Sequence, residues 1–144
     1  MTLSIIIVRY NALDDLERCL ASLHDAPPSM THDITVVDNA STEGGLEVVR
    51  SRWPRVRVIA LDRNRGFAAG NNTGIRATRG ELLLLLNSDT VMRHGSLDTL
   101  AARLDANPAA AAAGPRLVDA AGRAELSFGP MISPRSPTWP PPSG

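Results

Sequence analysis

The sequence predicts an α/β domain built on an open, mostly parallel sheet with helices on both faces. Three observations carry that expectation. Short apolar runs alternate with segments of helical period from Leu3 to Leu104. The run Leu82-Leu83-Leu84-Leu85-Leu86, bounded by Gly80 and by Asn87-Ser88-Asp89, is too short to cross a bilayer and reads as a central parallel strand covered on both faces. Finally, Asp38 and Asp89 each close an apolar run, at the strand ends where open α/β sheets bind ligands.

Taken in order, Leu3 to Val8 forms the first strand. Leu13, Leu16, Leu20 and Leu23 recur at helical spacing behind it, with Asn11 placed as an N-cap. Ile34 to Val37 is the second strand, ending at Asp38, and the polar turn Asn39-Ala40-Ser41-Thr42 leads to a helix over Gly45 to Arg52. Val56 to Leu61 is the third strand. The charged loop Asp62-Arg63-Asn64-Arg65-Gly66 then opens a helix from Phe67 to Thr78, which Gly80 closes from the C′ position. The leucine run is the fourth strand, and a helix over Leu97 to Leu104 is stopped by Asn107-Pro108. Pro115 to Val118 and Arg123 to Phe128 are expected to pair across the turn Asp119-Ala120-Ala121-Gly122. The segment 130–144 holds six prolines and no apolar period, which predicts an extended or disordered tail after a domain over 1–129.

With 144 residues the chain can bury one core, so one domain is expected. Fifteen basic and fifteen acidic residues cancel, which argues against a nucleic-acid coat protein. Cys19 is the only cysteine, so neither a disulfide framework nor a cysteine zinc cage can form within the chain. That usage, with no signal-like start and no transmembrane run, fits a cytoplasmic protein.

Asp38 and Asp89 end the second and fourth strands, so a parallel sheet brings both to one edge. There they can divide the work of reading a nucleoside and holding a cation against its phosphates; the competing reading of each is a turn former. A dinucleotide site would need glycines after the first strand, where Arg9-Tyr10-Asn11-Ala12-Leu13 has none. A Walker loop is absent, and the chain has no lysine. Gly66, Gly70 and Gly74 recur every four residues and clear one helix face, for close packing or for a ligand. Arg63 and Arg65 offer forked donors suited to a diphosphate, and Asn64, Asn71 and Asn72 add neutral ones. His24, His32 and His94 lack metal-ligand spacing, and no serine sits in a Gly-x-Ser-x-Gly turn. The PxxP matches in the tail are too loose to define an adaptor ligand.

These segments, in this order, resemble the family 2 glycosyltransferases, inverting enzymes of the GT-A (Rossmann-like) fold, and particularly their rhamnosyltransferase-like branch. Ser4-Ile5-Ile6-Ile7-Val8-Arg9-Tyr10-Asn11 resembles the opening strand, and Val36-Val37-Asp38-Asn39-Ala40-Ser41-Thr42 the nucleotide-reading turn. Arg63-Asn64-Arg65-Gly66-Phe67-Ala68-Ala69-Gly70-Asn71-Asn72 with Gly74 is the most distinctive match, and Leu83 to Thr90 resembles the strand entering a DxD-type motif. The resemblance implies that Tyr10, Asn11, Asp38, Asn39, Arg63, Asn64, Gly66, Asn71, Asn87 and Ser88 bind a UDP- or dTDP-sugar. Asp38 would read the base and Asp89 would hold Mg²⁺ or Mn²⁺. It further implies transfer to a hydroxyl of a glycan or lipid-linked acceptor in cell-wall or surface-polysaccharide synthesis, with a peripheral place at the cytoplasmic face of the membrane among the options.

Three departures qualify that picture. Asn87 replaces the first Asp of DxD, as often happens in the rhamnosyltransferase-like branch. Arg9 replaces a small hydroxyl residue and would either grip phosphate or obstruct the crevice. The Glu-Asp pair that supplies the family's general base has no counterpart after Asp89, where Asp119 and Glu125 are the only acids beyond Asp105. The domain is therefore expected to be the donor-binding portion of such an enzyme, shortened on its C-terminal side; the alternative is an inactive nucleotide-binding or subunit-pairing domain.

Overall fold

The computed structural model describes residues 1–119 and 121–125. Four parallel strands form one sheet: β1 (Thr2–Arg9), β2 (Thr31–Asp38), β3 (Arg57–Ala60) and β4 (Leu82–Asn87), in the order β3-β2-β1-β4. Helices α1 (Leu13–Asp25), α2 (Leu46–Arg52) and α3 (Phe67–Ala77) connect them, and α4 (Ser96–Asp105) follows β4. Tracing runs outward from β1 to β3 and then returns past β1 to β4. A right-handed crossover made in the reverse direction must pass over the opposite face, and this explains the placement of α3.

One face packs Leu3, Ile5 and Ile7 of β1, Val36 and Leu86 against Leu16, Cys19, Leu20 and Leu23 of α1, Val49 of α2 and Leu97 of α4. The other face presents Ile6 and Val8 to α3. A Cβ on Gly74 would lie 2.4 Å from Ile6 Cγ2, and one on Gly70 would lie 2.7 Å from Val8 Cγ1. The missing side chains thus let α3 settle onto β1, and of the two readings of the glycine stripe, close packing describes Gly70 and Gly74.

The leucine run is a strand in parallel register with β1, but it is not a central one. Among the described residues β4 is an edge strand, and Leu83 and Leu85 are 46% and 49% exposed. The cause lies in the register. Leu82, Leu84 and Leu86 share the α1 face, whereas Leu83 and Leu85 lie beside Ser4 and Ile6 on the α3 face. There α3 packs against β1 and β2 and leaves β4 uncovered.

Two expected helix ends are built differently. Ala12, not Asn11, is the N-cap residue of α1, with φ 53°, and its helix receives a carboxylate from Glu43, whose Oε1 accepts from Leu13 N at 2.7 Å. Helix α3 ends at Ala77 with Thr78 as its C-cap, so Gly80 does not close it. Instead Gly80 N donates to Ser4 Oγ at 3.0 Å, and a Cβ there would meet Ser4 N at 2.6 Å. The third strand is also shorter than expected, since Val56 N turns back to Trp53 O.

Residues 1–111 form one compact unit, and the described residues from 112 on belong to a second. Within the second, β5 (Leu117–Val118) and β6 (Ala124–Glu125) pair antiparallel, and Asp119 accepts from Ala121 N and Arg123 N, each at 2.9 Å. The expected strand over 126–128 and the proline-rich tail lie outside the described residues.

Cys19 is fully buried, with Sγ 3.8 Å from Asn87 O. Burial, and secondarily the Asp89 carboxylate, pushes its thiol up to about 12. Below pH 9 the thiol is neutral in both states. Between pH 9 and 12 the unfolded chain loses this proton while the folded one keeps it, so this group weakens stability as pH rises through that window. At pH 8 a thiol reagent is expected to leave the native protein unmodified and to label it once urea unfolds it; rapid native labelling would contradict the burial. Gly74→Ala gains about 1 kcal/mol in helix propensity but forces a methyl onto stiff, buried Ile6, at a cost of roughly 1–3 kcal/mol. Its urea midpoint should fall, and a raised midpoint would show that α3 has room above β1.

Candidate functional site

In parallel register the strands end together: Arg9 beside Asp38, Asp38 beside Ala60, Val8 beside Asn87. This edge collects Tyr10 and Asn11 after β1, Asn39 after β2, the loop 61–66 after β3, and Ser88 and Asp89 after β4. The strand order reverses at β1, so the edge is a topological switch point, the place where open α/β sheets take ligands. Asp38 and Asp89 are two strand spacings apart, roughly 10 Å between strand axes.

The floor of the edge is a charge cluster around a buried arginine. Arg9 is fully buried, its Nε lies 3.3 Å from Asp38 Oδ1, and its Nη2 donates to Glu43 Oε1 at 2.7 Å and to Gly44 O at 3.0 Å. Arg9 therefore neither lines the open crevice nor holds phosphate there; it is turned inward as a counter-ion. Its Nε and Nη1 are buried without a hydrogen-bond partner. Asp38 Oδ1 accepts from Ser41 Oγ at 2.5 Å, and Oδ2 accepts from Ser41 N at 3.2 Å.

Around this cluster two turns interlock. Asn11, Ala12 and Ala40 all adopt left-handed backbone, at φ 58°, 53° and 62°. Such conformations persist only where neighbours overdetermine them. Here Asn11 N donates to Ser41 Oγ at 2.8 Å, Asn11 Oδ1 accepts from Thr42 N at 2.9 Å, and Asn39 N donates to Arg9 O at 2.8 Å. Asn11 thus ties β1 to the loop after β2. Glu43 carried no signal of its own in the sequence; the clue was that an arginine closing an apolar strand needs an acid, and Arg9 takes two.

The third turn is held by Asn39, which is buried. Its Nδ2 donates to Asn64 Oδ1 at 2.9 Å, its Oδ1 accepts from Arg65 N at 2.8 Å, and Asn64 Oδ1 also accepts from Gly66 N at 2.9 Å. Asn39 and Asn64 therefore face each other across the crevice wall. Gly66 has φ 81°, with nothing within 4 Å of an added Cβ, so it opens onto space at the start of α3. Arg65 pairs with Asp62 at 2.8 Å, which holds that carboxyl below its usual range, while Arg63 is exposed with no ion pair or hydrogen bond among the described residues. Asn71 is buried, donates to Phe67 O at 3.1 Å and leaves Oδ1 unpaired, so it belongs to the body of α3.

On the far side, Asn87 and Asp89 are exposed and Ser88 half-buried, in a turn closed by Thr90 N donating to Asn87 O at 3.2 Å. Asp89 makes no side-chain hydrogen bond or ion pair among the described residues. Tyr10 is 51% exposed. No group of three metal-capable side chains occurs among the described residues, so a cation at Asp89 would have one carboxylate from this turn. That donor set fits Mg²⁺ or Mn²⁺ shared with phosphate oxygens and water. A shallow pocket at the start of α1 has Asp14, Asp15 and Glu43 against one arginine, Arg18, which disfavours a diphosphate there.

This geometry has relatives. Succinoglycan biosynthesis protein ExoO of Rhizobium meliloti is 37% identical over 102 residues, covering 70% of this chain and 29% of that protein. The N-acetylglucosaminyl-diphospho-decaprenol L-rhamnosyltransferase of Mycobacterium tuberculosis is 29% identical over 158 residues, covering 96% of this chain and 51% of that one. Among solved structures, S. aureus TarS 1-349 in complex with UDP-GlcNAc superposes with a TM-score of 0.64 at 27% identity over 75% of this chain and 32% of that one. Mannosyltransferase PcManGT from Pyrobaculum calidifontis, in complex with GDP-Man and Mn²⁺, gives 0.66 at 25% identity over 71% and 32%. The chain thus spans between about a third and a half of the length of these relatives. Residues 4–139 match the family model for Glycosyl transferase family 2, and the chain belongs to that family, with its GT-A fold.

Proposed function

We propose that this chain binds the donor of a glycosyltransferase, a UDP- or dTDP-sugar laid across the carboxyl edge from Asp38 to Asp89. The observation that supports this best is the contrast between the two acids. Asp38 is nearly buried and held by hydrogen bonds from Ser41, a fixed group that reads a base, whereas Asp89 is open and, among the described residues, unpartnered on the other side of β1. A nucleoside diphosphate has that same polarity: one group to be read, then charge to be neutralised. Tyr10 offers an exposed aromatic face just after β1, and Arg63 a guanidinium for phosphate that is unpaired among the described residues.

In the proposed reaction an acceptor hydroxyl oxygen bonds to the anomeric carbon from the side opposite the diphosphate. The carbon–oxygen bond to phosphate breaks, and the configuration inverts. The bonding electrons leave with the nucleoside diphosphate, and the hydroxyl proton passes to a base. Asp89, with Asn87 and Ser88 beside it, would hold the divalent cation, which when bound supplies Lewis-acid stabilisation of the leaving diphosphate. Asn39 and Asn64 tie the loops after β2 and β3 together, and Arg9 fixes the orientation of Asp38. The acceptor is a hydroxyl of a glycan or lipid-linked precursor for a surface polysaccharide, a reading supported by the names of the succinoglycan and decaprenol-linked relatives. A cytoplasmic site, at or near the membrane face, fits such a precursor.

No base is assigned among the described residues: of the acids after Asp89, Asp98 accepts from Ser29, Asp119 accepts from its own turn, and Asp105 is exposed at the end of α4. That observation favours a second reading, a domain that binds donor without turning it over. Calorimetric titration of UDP with and without Mn²⁺, followed by a donor-hydrolysis assay, separates the two. Hydrolysis or transfer supports the enzyme; metal-dependent binding without turnover supports the binding domain. Under either reading, Mn²⁺ should tighten UDP by about tenfold or more, some 1.4 kcal/mol, and Asp89→Ala should bring that ratio to about one. Metal dependence that survives in Asp89→Ala would remove the cation from this residue.

A further inference from the structure

We infer that Asn39 is a positioning residue for the donor diphosphate: its side-chain amide, paired with that of Asn64, holds the loop 61–66 in the shape that presents Arg63. The inference rests on the proposed reading of Arg63 as a phosphate contact. Asn39 and Asn64 then act through the loop and not by touching the ligand themselves.

The two amides have no choice of orientation. A backbone N–H can only donate, so Arg65 N, 2.8 Å away, fixes the Asn39 atom that it faces as Oδ1. Gly66 N, at 2.9 Å, fixes the facing Asn64 atom as Oδ1 in the same way. That oxygen also receives Asn39 Nδ2, at 2.9 Å. Asn39 must therefore donate to one neighbour and accept from another, in a residue that is only 3% exposed. An ionised aspartate has the same shape but only accepts, and it would set a carboxylate oxygen against Asn64 Oδ1. Turning the Asn64 amide over would meet that carboxylate but take the acceptor away from Gly66 N.

Beyond Leu61, whose N donates to Asp38 O at 2.9 Å, this amide is the loop's hydrogen-bonded anchor. Among the described residues, every hydrogen bond from residues 62–66 to an earlier element ends on the Asn39 side chain. The others lie within the loop, between Arg65 and Asp62 and between Gly66 and Asn64, or run on into α3 through Gly66 O. Arg63 stands in the middle of this span, exposed and unpaired among the described residues. Asn39 itself is fixed at its backbone, where N donates to Arg9 O at 2.8 Å. The amide thus ties the loop that carries the exposed arginine to the rigid end of β2.

The affinity for UDP with Mn²⁺, measured by calorimetry on the full chain, tests this with substitutions at three positions. Asn64→Asp keeps an acceptor for both donors and Asn64→Ala removes it, so Asn64→Asp should bind UDP about threefold or more tighter than Asn64→Ala. A side chain that touched phosphate directly would give the reverse order, because a carboxylate repels the diphosphate. Asn39→Asp adds the same charge as Asn64→Asp but breaks the pair, and it should bind about tenfold more weakly than Asn64→Asp. Arg63→Ala should weaken UDP about tenfold in the wild type but by about twofold or less in Asn64→Ala, where the loop is already released. Circular dichroism checks folding; if buried position 39 does not tolerate Asp, the two Asn64 variants and the Arg63 cycle decide. Equal affinities or the reverse order at position 64, an Arg63→Ala loss undiminished in Asn64→Ala, or no loss from Arg63→Ala at all would overturn the role of the amide pair while leaving nucleotide binding intact. Failure of the folded wild type to bind UDP would overturn the nucleotide reading and this inference together.

Discussion

A buried guanidinium governs the carboxyl edge of this domain. Strand β1 carries a fully buried run into the middle of the sheet and ends it on Arg9, which the strand's own burial draws out of water. An isolated charge in that position would cost several kcal/mol. The neighbouring strand answers in register with Asp38, and the loop beyond it with Glu43. Once those two acids are committed, the turns that deliver them have little freedom. Three residues accept left-handed backbone, Asn11 and Ser41 stitch the turns together, and Glu43 doubles as the carboxylate at the start of α1. Local strain is thus offset by one compact ionic cluster, and the arrangement of the turns around Asp38 follows from it.

The two acids that draw attention in the sequence end in opposite electrostatic settings. Asp38 is spent largely inside the protein, on Ser41 and Arg9, so what it can offer a ligand is limited and directional. Asp89 is spent on nothing among the described residues. Its field reaches inward only as a minor influence on Cys19, whose behaviour is dominated by burial. An edge with one constrained acceptor and one free carboxylate is asymmetric, and that asymmetry would give a nucleotide bound as proposed its direction across β1.

Much of this was legible from residues alone. The βα rhythm, the parallel sheet, and the arrival of Asp38 and Asp89 at one edge follow from apolar runs that end in acids, because parallel strands bring all their carboxyl ends to the same side. What was not legible depended on partners distant in the chain. Five leucines in a row look the same whether a helix covers both faces or only one, so the edge position of β4 was hidden until α3 was seen over β1 and β2. Asn11 has the spacing of an N-cap, but its side chain is taken by Thr42 N, 31 residues away. Gly80 has the spacing of a C′ glycine, yet its small size serves the approach of Ser4. Asn71 sat among plausible donors in the sequence, and only the packing of α3 shows it buried.

A nucleoside diphosphate bound as proposed lies across β1 with its base at Asp38 and its metal at Asp89. Amide NMR on the isotopically labelled chain with UDP and Mn²⁺ tests it most directly. Paramagnetic broadening should be centred on Ser88, Asp89 and Thr90, and in the diamagnetic Mg²⁺ complex the largest shifts should fall on Asn39 to Ser41. Broadening centred elsewhere, for instance on Asp14 and Asp15 at the start of α1, with Asn39 to Ser41 unshifted, would contradict the account.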